Sequence, residues 1–125
     1  MQNTFKKIER LKSKYAFELL FSKGASVKHF PIRMVYVPWK FESTEKVQAG
    51  FSVSKKRFKN AVDRNRIKRQ MLECYRTLKK THLTELQQQH AILFIYIHHQ
   101  EKPFDKLQAS MQKCLIDFAK KATQY

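Results

Sequence analysis

The sequence predicts a single α/β domain with one helix, two or three strands, a second helix, another strand and a last helix. Helical and strand-like hydrophobic periodicities alternate along the chain, which favours a mixed fold. The length of 125 residues suits one domain with one core, spanning residues 1–125 without an internal repeat. A hydrophobic content of 42%, with ten Phe but only two Gly and three Pro, is typical of a folded body.

The first helix is predicted between Ser13, a favourable N-cap, and Gly24, which can end it. Its apolar residues recur at helical spacing and are Ala16, Phe17, Leu20 and Phe21. Two interpretations are open. The whole stripe faces the core, or Phe17 and Phe21 lie partly exposed in a groove, where they could stack on unpaired bases.

Three segments are predicted to be strands. Val27 to Trp39 is largely apolar, and Val47 to Ser54 alternates between apolar and small polar residues. The small polar side of the second segment either lets a nucleic-acid backbone approach or simply faces solvent. The apolar run from Ala91 to Ile97 suits an interior strand, and its seven residues are too few to cross a membrane.

The second helix is predicted from an N-cap at Asn60 to about Lys80, with Asp63 placed favourably in its first turn. Its apolar stripe consists of Ile67, Met71, Cys74 and Leu78. Its opposite side gathers Asn65, Arg69, Leu72 and Arg76, flanked by Lys68 and Lys79. Pro103 can open the last helix. The predicted core face of that helix is Phe104, Leu107, Met111, Cys114, Leu115 and Phe118.

The cysteine and histidine pattern favours neither a disulfide framework nor a metal site. Cys74 and Cys114 fall at apolar helical positions, which indicates small buried thiols in a reducing cytoplasm. His98 and His99 are adjacent, so on a strand they would point to opposite faces and would not share a metal ion.

Positive charge dominates the chain. The formal net charge is +16, and eight of the fifteen residues from Lys55 to Arg69 are Lys or Arg. So dense a charge repels itself unless a polyanion binds it, which points to nucleic acid first and to an anionic membrane surface second. Arg side chains can bind phosphate bidentately, and Asn65 can address a ribose or a base edge.

Two motifs resemble the protein subunit of bacterial ribonuclease P. The first is the segment from Gly50 to Lys56, which ends in Lys-Lys, and the second runs from Asn60 to Arg69 and contains Arg-Asn-Arg-x-x-Lys-Arg. Leu72 stands where that family usually has an Arg, which removes one charge from the basic side. The resemblance implies an α/β (α+β) two-layer sandwich of about α-β-β-β-α-β-α order. Its mixed sheet would be packed by helices, with a left-handed β-α-β crossover.

The resemblance also implies a function. The chain would be the RNA-binding subunit of an endoribonuclease whose catalytic RNA uses Mg²⁺ to remove the 5′ leader from precursor tRNA. Its partners would be ribonuclease P RNA and precursor tRNA, with no membrane, no obligate protein partner and no cofactor or metal held by the protein. The implied RNA-binding residues are Lys55, Lys56, Arg57, Lys59, Arg64, Asn65, Arg66, Lys68, Arg69 and Arg76. The implied leader groove contains Phe17, Phe21, Tyr36, Phe51 and Ser52.

Two alternatives share the basic composition. A structural or assembly protein of another RNA particle, such as the ribosome, would have the same charge and lack the specific motif. A protein-only nuclease is disfavoured because the ten acidic residues are dispersed, with no pair spaced to hold two metal ions and no accompanying His-acid motif.

Overall fold

A computed structural model describes residues 5–122 of the chain. After a short 3₁₀ turn, the elements are α1 (Lys14–Lys23), β1 (Ala25–His29), β2 (Ile32–Pro38), β3 (Val47–Val53), α2 (Ala61–Leu83), β4 (His90–Tyr96) and α3 (Phe104–Ala122). The four strands form one sheet in the order β1-β2-β4-β3. β1 and β4 run antiparallel to β2, whereas β3 runs parallel to β4. This mixed sheet with three helices confirms the predicted fold class.

The segment Val27 to Trp39, predicted as one strand, is two strands joined by a tight turn. β1 ends at His29, Phe30 and Pro31 form the turn, and β2 begins at Ile32. Lys28, His29 and Pro31 interrupt the apolar pattern at this reversal, so the sequence contained a turn signal that the one-strand prediction did not use. The turn places Lys28 opposite Arg33 in the ladder.

The two faces of the sheet are covered by different helices. On one face, Ile32, Met34, Ile92 and Phe94 pack with residues of α2 and α3 in the larger core cluster. On the other face, Val35 and Leu93 pack with Leu20 of α1 in a second cluster. Successive residues of a strand point to opposite faces of the sheet. Alternate residues of each strand therefore face α2 and α3, and the residues between them face α1.

The ends of α1 follow the prediction, with one difference in mechanism. The Ser13 side chain accepts a hydrogen bond from the Ala16 amide at 3.3 Å, as an N-cap should. Gly24 ends the helix at φ −71°, so it is not needed for a left-handed turn. A Cβ at this position would clash with the Leu20 carbonyl oxygen of α1 and would lie 2.6 Å from Val35 Cγ1 of β2, so the space between the helix end and the sheet admits only glycine.

The second helix extends beyond its predicted end at Lys80, reaching Leu83. Cys74 on α2 and Cys114 on α3 are buried free thiols, as expected, and burial raises the pKa of each to about 12. His98 and His99 follow β4 rather than extending it, and their ring centroids lie 4.6 Å apart. The expectation that they point to opposite faces was therefore wrong. No helix within residues 5–122 is long and apolar enough to cross a membrane.

Candidate nucleic-acid interface

The outer side of α2 carries the polar residues that the helical phase predicted. Ile67, Met71 and Cys74 are buried against the sheet, whereas Asn65 and Arg69 are exposed. Asn60 precedes the helix as its N-cap residue, without a side-chain capping bond. The sequence therefore positions a basic surface on α2 by anchoring the opposite side of the helix in the core.

Arg64 connects α2 to the loop between β3 and α2, which we call the basic loop and which contains Lys55 to Lys59. Its Nη1 donates hydrogen bonds to the carbonyl oxygens of Phe58 and Lys59, both at 2.8 Å. This bonding holds the end of the loop against the first turn of the helix. Both bonds come from one nitrogen, so Nε and Nη2 of Arg64 remain as donors for a phosphate.

Two of the predicted RNA-binding arginines are already bound to carboxylates. Arg66 lies 2.7 Å from Asp63 and also pairs with Glu101 through Nε at 3.1 Å; these hydrogen bonds raise the pKa of Arg66. Arg76 Nε donates to Glu73 at 3.1 Å, and this pairing lowers the pKa of Glu73. Both arginines offer less charge to a phosphate than the sequence suggested, because long-range and local acids already neutralise them.

The remaining predicted cations have no carboxylate partner within 4.0 Å among residues 5–122. They are Lys55, Lys56, Arg57, Lys59, Lys68 and Arg69. The first four lie on the exposed loop between β3 and α2, and the last two lie on α2 itself. Unpaired cations at this density produce a strongly positive local field.

A basic cleft of about 420 Å³ lies between α2, β3 and the segment that precedes α1. Its polar rim includes Arg10, Lys12, Asn65, Lys68 and Arg69, and its apolar wall includes Leu11, Gly50 and Leu72. Leu11 donates its amide to the carbonyl of Ala49 at 3.0 Å, which fixes the N-terminal segment along the edge of β3. Arg10 and Lys12 were not among the predicted site residues. The sequence did contain a signal for them, because two cations on either side of the apolar Leu11 indicate a basic segment anchored by its middle residue.

Leu72 lies in this cleft, at the position where the resemblance would place an arginine. The cleft is therefore apolar at one end and cationic around Lys68 and Arg69. An RNA bound here would meet one cation fewer on α2 and more apolar contact.

A second surface is the open face, which we define as the row Lys28, Arg33, Ile95 and Ser52. The strand ladders place these residues side by side, since Lys28 pairs with Arg33, Arg33 with Ile95, and Ile95 with Ser52. Lys28 and Arg33 are exposed, while Ile95 and Ser52 are half-buried. The row therefore offers two cations, an apolar floor and a small hydroxyl on one side of the sheet.

Helix α1 borders the open face with aromatic side chains. Phe17 is half-buried and packs, like Ile95, against the cluster that α1 forms with the sheet. Phe21, one turn later, is 70% exposed. The whole stripe therefore does not face the core, because Ala16 and Leu20 form its buried side while Phe17 is half-buried and Phe21 is exposed; base stacking by these rings stays a prediction.

Tyr36 and Phe51 do not share a groove with Phe17. Tyr36 packs edge-on to Phe118 of α3, with centroids 4.8 Å apart, and Phe51 stacks on Phe94 at 5.4 Å. Both lie on the sheet face covered by α2 and α3. Their placement in a common groove with Phe17 and Ser52 was wrong, because strand parity sends their side chains to the opposite face.

Comparison with known proteins decides between the RNA-binding alternatives. The family model described as Ribonuclease P matches residues 5–119. The chain belongs to the ribonuclease P protein family. The alternative of a structural or assembly protein of another RNA particle is not favoured by this match.

Relatives of known name support the assignment to the ribonuclease P protein family. A ribonuclease P protein component from Porphyromonas gingivalis strain W83 is 34% identical over 120 residues, covering 90% of this chain and 85% of the relative. Another from Caldanaerobacter subterraneus is 34% identical over 110 residues, covering 87% and 88%. This chain is an RNA-binding subunit of the ribonuclease P endoribonuclease, and its partner is ribonuclease P RNA.

Solved structures agree with this fold. The Staphylococcus aureus RNase P protein superposes with a TM-score of 0.70 at 27% identity, covering 92% of this chain and 98% of that one. The Thermotoga maritima RNase P protein gives the same TM-score of 0.70 at 20% identity, covering 87% and 96%, a likeness of fold alone.

Proposed function

We propose that this ribonuclease P protein holds the single-stranded 5′ leader of precursor tRNA on its open face while its basic cleft and loop bind ribonuclease P RNA. The observation that carries the proposal is the row of Lys28, Arg33, Ile95 and Ser52 on the sheet face against which α1 packs with Phe17. A half-buried aromatic ring on the same side of the sheet as two cations and a small polar side chain suits an unpaired strand, whose bases stack and whose phosphates need neutralisation.

The chemistry of the row matches a single strand better than a duplex. A base stacked on Phe17 would gain roughly 1–3 kcal/mol, because every base has a π-face. Arg33 and Lys28 are exposed neighbours in the same ladder and would bind phosphates of the same strand.

The two RNA-binding surfaces lie on either side of the edge strand β3. The basic cleft lies on the α2 side of this strand, and the open face lies on its other side toward α1. Ribonuclease P RNA on α2 and a leader on the open face could therefore bind at the same time. The protein would raise the local concentration of the leader beside the catalytic RNA.

Catalysis in this proposal resides in the RNA, which uses Mg²⁺, and the residues of this chain bind and orient. Among residues 5–122, no three His, Cys, Asp or Glu side chains are grouped so as to hold a metal ion. Arg33, Lys28 and Phe17 would position the leader. The two free buried thiols suit the reducing cytoplasm, where the proposed tRNA maturation would take place.

The proposal is tested by replacing Phe17 with Ala and measuring binding to precursor and mature tRNA in the presence of ribonuclease P RNA. Affinity for the precursor should fall roughly 5- to 150-fold, which corresponds to the stacking energy above, while affinity for mature tRNA stays unchanged. Leu19→Ala is the matched control, since Leu19 is a half-buried residue of the same helix that lies on its other side. Equal losses for precursor and mature tRNA would contradict leader binding by Phe17.

A further inference from the structure

A cluster of aromatic and basic side chains lies where β1, β4 and α3 meet, outside both surfaces described above. We call Phe30, His98, His99 and Lys102 the histidine cluster. The Phe30 and His98 rings meet edge to face with centroids 4.8 Å apart, and His98 meets His99 at 4.6 Å. The Lys102 ammonium lies 6.0 Å from the Phe30 centroid, and Phe30 is 54% exposed.

The cluster lies close to the basic loop, since Phe58 of that loop packs against Tyr96 with ring centroids 6.0 Å apart and the Lys102 amide donates to Tyr96 Oη at 2.9 Å. Arg57 of that loop acts electrostatically on His98, together with His99 and Lys102. Partial burial and then these positive neighbours lower the pKa of His98. The neighbouring carboxylate, Glu101, is held by Arg66 of α2. The groups that face His98 therefore leave it in a positive environment with little negative charge to balance it.

We propose that the histidine cluster is a phosphate-binding surface for ribonuclease P RNA that takes up protons when the RNA binds. An RNA strand that follows Lys55 to Lys59 would continue onto this cluster, because Phe58 of the basic loop and Lys102 of the cluster both contact Tyr96. Phe30 would offer its exposed ring to an unpaired base, and Lys102 would bind a phosphate beside it.

The proton uptake follows from the charges. In the free protein, cations near His98 oppose its protonation. A bound phosphate reverses the sign of the local field, so it stabilises the protonated imidazole. Linkage then requires the reciprocal effect, in which protonation strengthens RNA binding. Affinity should increase as the pH falls through the histidine range and decrease as the pH rises through it.

The experiment compares affinity for ribonuclease P RNA at about pH 6 and about pH 8, on either side of the usual histidine pKa. No tRNA is present, so the outcome is independent of the leader proposal. For the unmodified protein, affinity should be several-fold higher at the lower pH. One linked proton changes affinity by at most about tenfold per pH unit. The double variant His98→Gln/His99→Gln should lose this pH dependence while keeping its affinity at the higher pH.

The matched control is His82→Gln. His82 lies on α2 about 24 Å along the helix from Arg66, at 1.5 Å per residue. This variant should retain the full pH dependence. Calorimetric titration in buffers of different ionisation enthalpy should show protons taken up by the unmodified protein and not by the double variant.

Two results would overturn the proposal. One is a pH dependence in the double variant equal to that of the unmodified protein. The other is an affinity of the unmodified protein that does not change with pH. Thermal melting of each protein at both pH values separates a loss of binding from a loss of folding. Arg69→Gln should weaken binding at both pH values, which distinguishes failure of the histidine cluster from failure of RNA binding as a whole.

Discussion

Replacing Arg69 with Gln should reduce the salt dependence of RNA binding, whereas replacing Arg66 with Gln should leave it nearly unchanged. The two substitutions remove the same charge from the same helix, three residues apart. They differ in what the side chain touches. Arg69 is exposed at the rim of the basic cleft without a carboxylate partner in the described part of the chain, and Arg66 is paired with Asp63 and Glu101.

The magnitude follows from counterion release. Each phosphate neutralised by a cation contributes about 0.7 to 0.9 to the slope of log affinity against log salt. Losing the Arg69 contact should therefore flatten the slope by that amount. Over a tenfold change in salt, the affinity of the unmodified protein should change roughly 5- to 8-fold more than that of Arg69→Gln. Arg66→Gln should change the slope by less than about half a contact, because its charge is already balanced.

The assay is equilibrium binding of labelled ribonuclease P RNA over a tenfold range of monovalent salt at constant Mg²⁺. Thermal melting of both variants confirms that each is folded, since exposed ion pairs such as those of Arg66 contribute little to stability. Equal flattening for the two variants would refute the reasoning, because it would mean that Arg66 leaves its carboxylates to bind RNA. An unchanged slope for Arg69→Gln would show that the cleft does not bind phosphate.

Three further predictions concern stability. Phe51→Ala should destabilise the protein by about 3 kcal/mol in thermal or urea unfolding and leave the preference for precursor over mature tRNA intact, because Phe51 packs on the core face; a loss of that preference without destabilisation would contradict this placement. Lys79→Met should cost on the order of 3 kcal/mol in urea unfolding, because the buried Glu9 carboxylate loses its cation; adding Glu9→Gln should restore much of the stability, and no loss in Lys79→Met would disprove the dependence. The hydrogen bond from His29 lowers the pKa of Asp117, so the stabilisation that this pair gives the folded protein is present above the ordinary carboxyl pKa and is lost as the pH falls through the lowered pKa. The melting temperature should therefore fall less steeply below about pH 4 in His29→Ala than in the unmodified protein, and an identical fall would exclude the pair as the cause.

Local patterns predicted most of the fold. The alternation of Val47 to Ser54, the apolar run that became β4, and the helix starts after Ser13 and Asn60 all appear where they were expected, although only Ser13 makes a side-chain capping bond. These features depend on residues close in sequence, so a period of two or of 3.6 is enough to detect them. The reversal at Phe30 and Pro31 was missed although β1 is largely polar, β2 is largely apolar and a proline stands between them.

The residue types at the site were predictable from the sequence, but the contacts between those residues were less so. Helical phase identified Asn65 and Arg69 as the outer side of α2. It could not identify the partner of Arg66, because Glu101 is 35 residues away in sequence. Strand parity showed that Phe51 and Ser52 point to opposite faces, but only the packing of the helices shows which face α1 covers.

Long-range contacts also account for the remaining differences between the sequence-based predictions and the structure. Lys79, predicted to flank the basic side of α2, pairs with the buried Glu9 across 70 residues of sequence. Leu72 became part of the wall of a cleft whose other side is the segment from Arg10 to Lys12. The sequence identifies the residues in such contacts, and the tertiary fold determines which of them meet.

The most direct measurement is reconstitution of precursor-tRNA cleavage with bacterial ribonuclease P RNA at low Mg²⁺. The protein should restore cleavage under conditions in which the RNA alone is inactive, and the protein without RNA should cleave nothing. Cleavage by the protein alone would contradict a binding subunit whose catalyst is RNA. Failure to restore cleavage at any Mg²⁺ concentration would contradict the proposed leader-binding role.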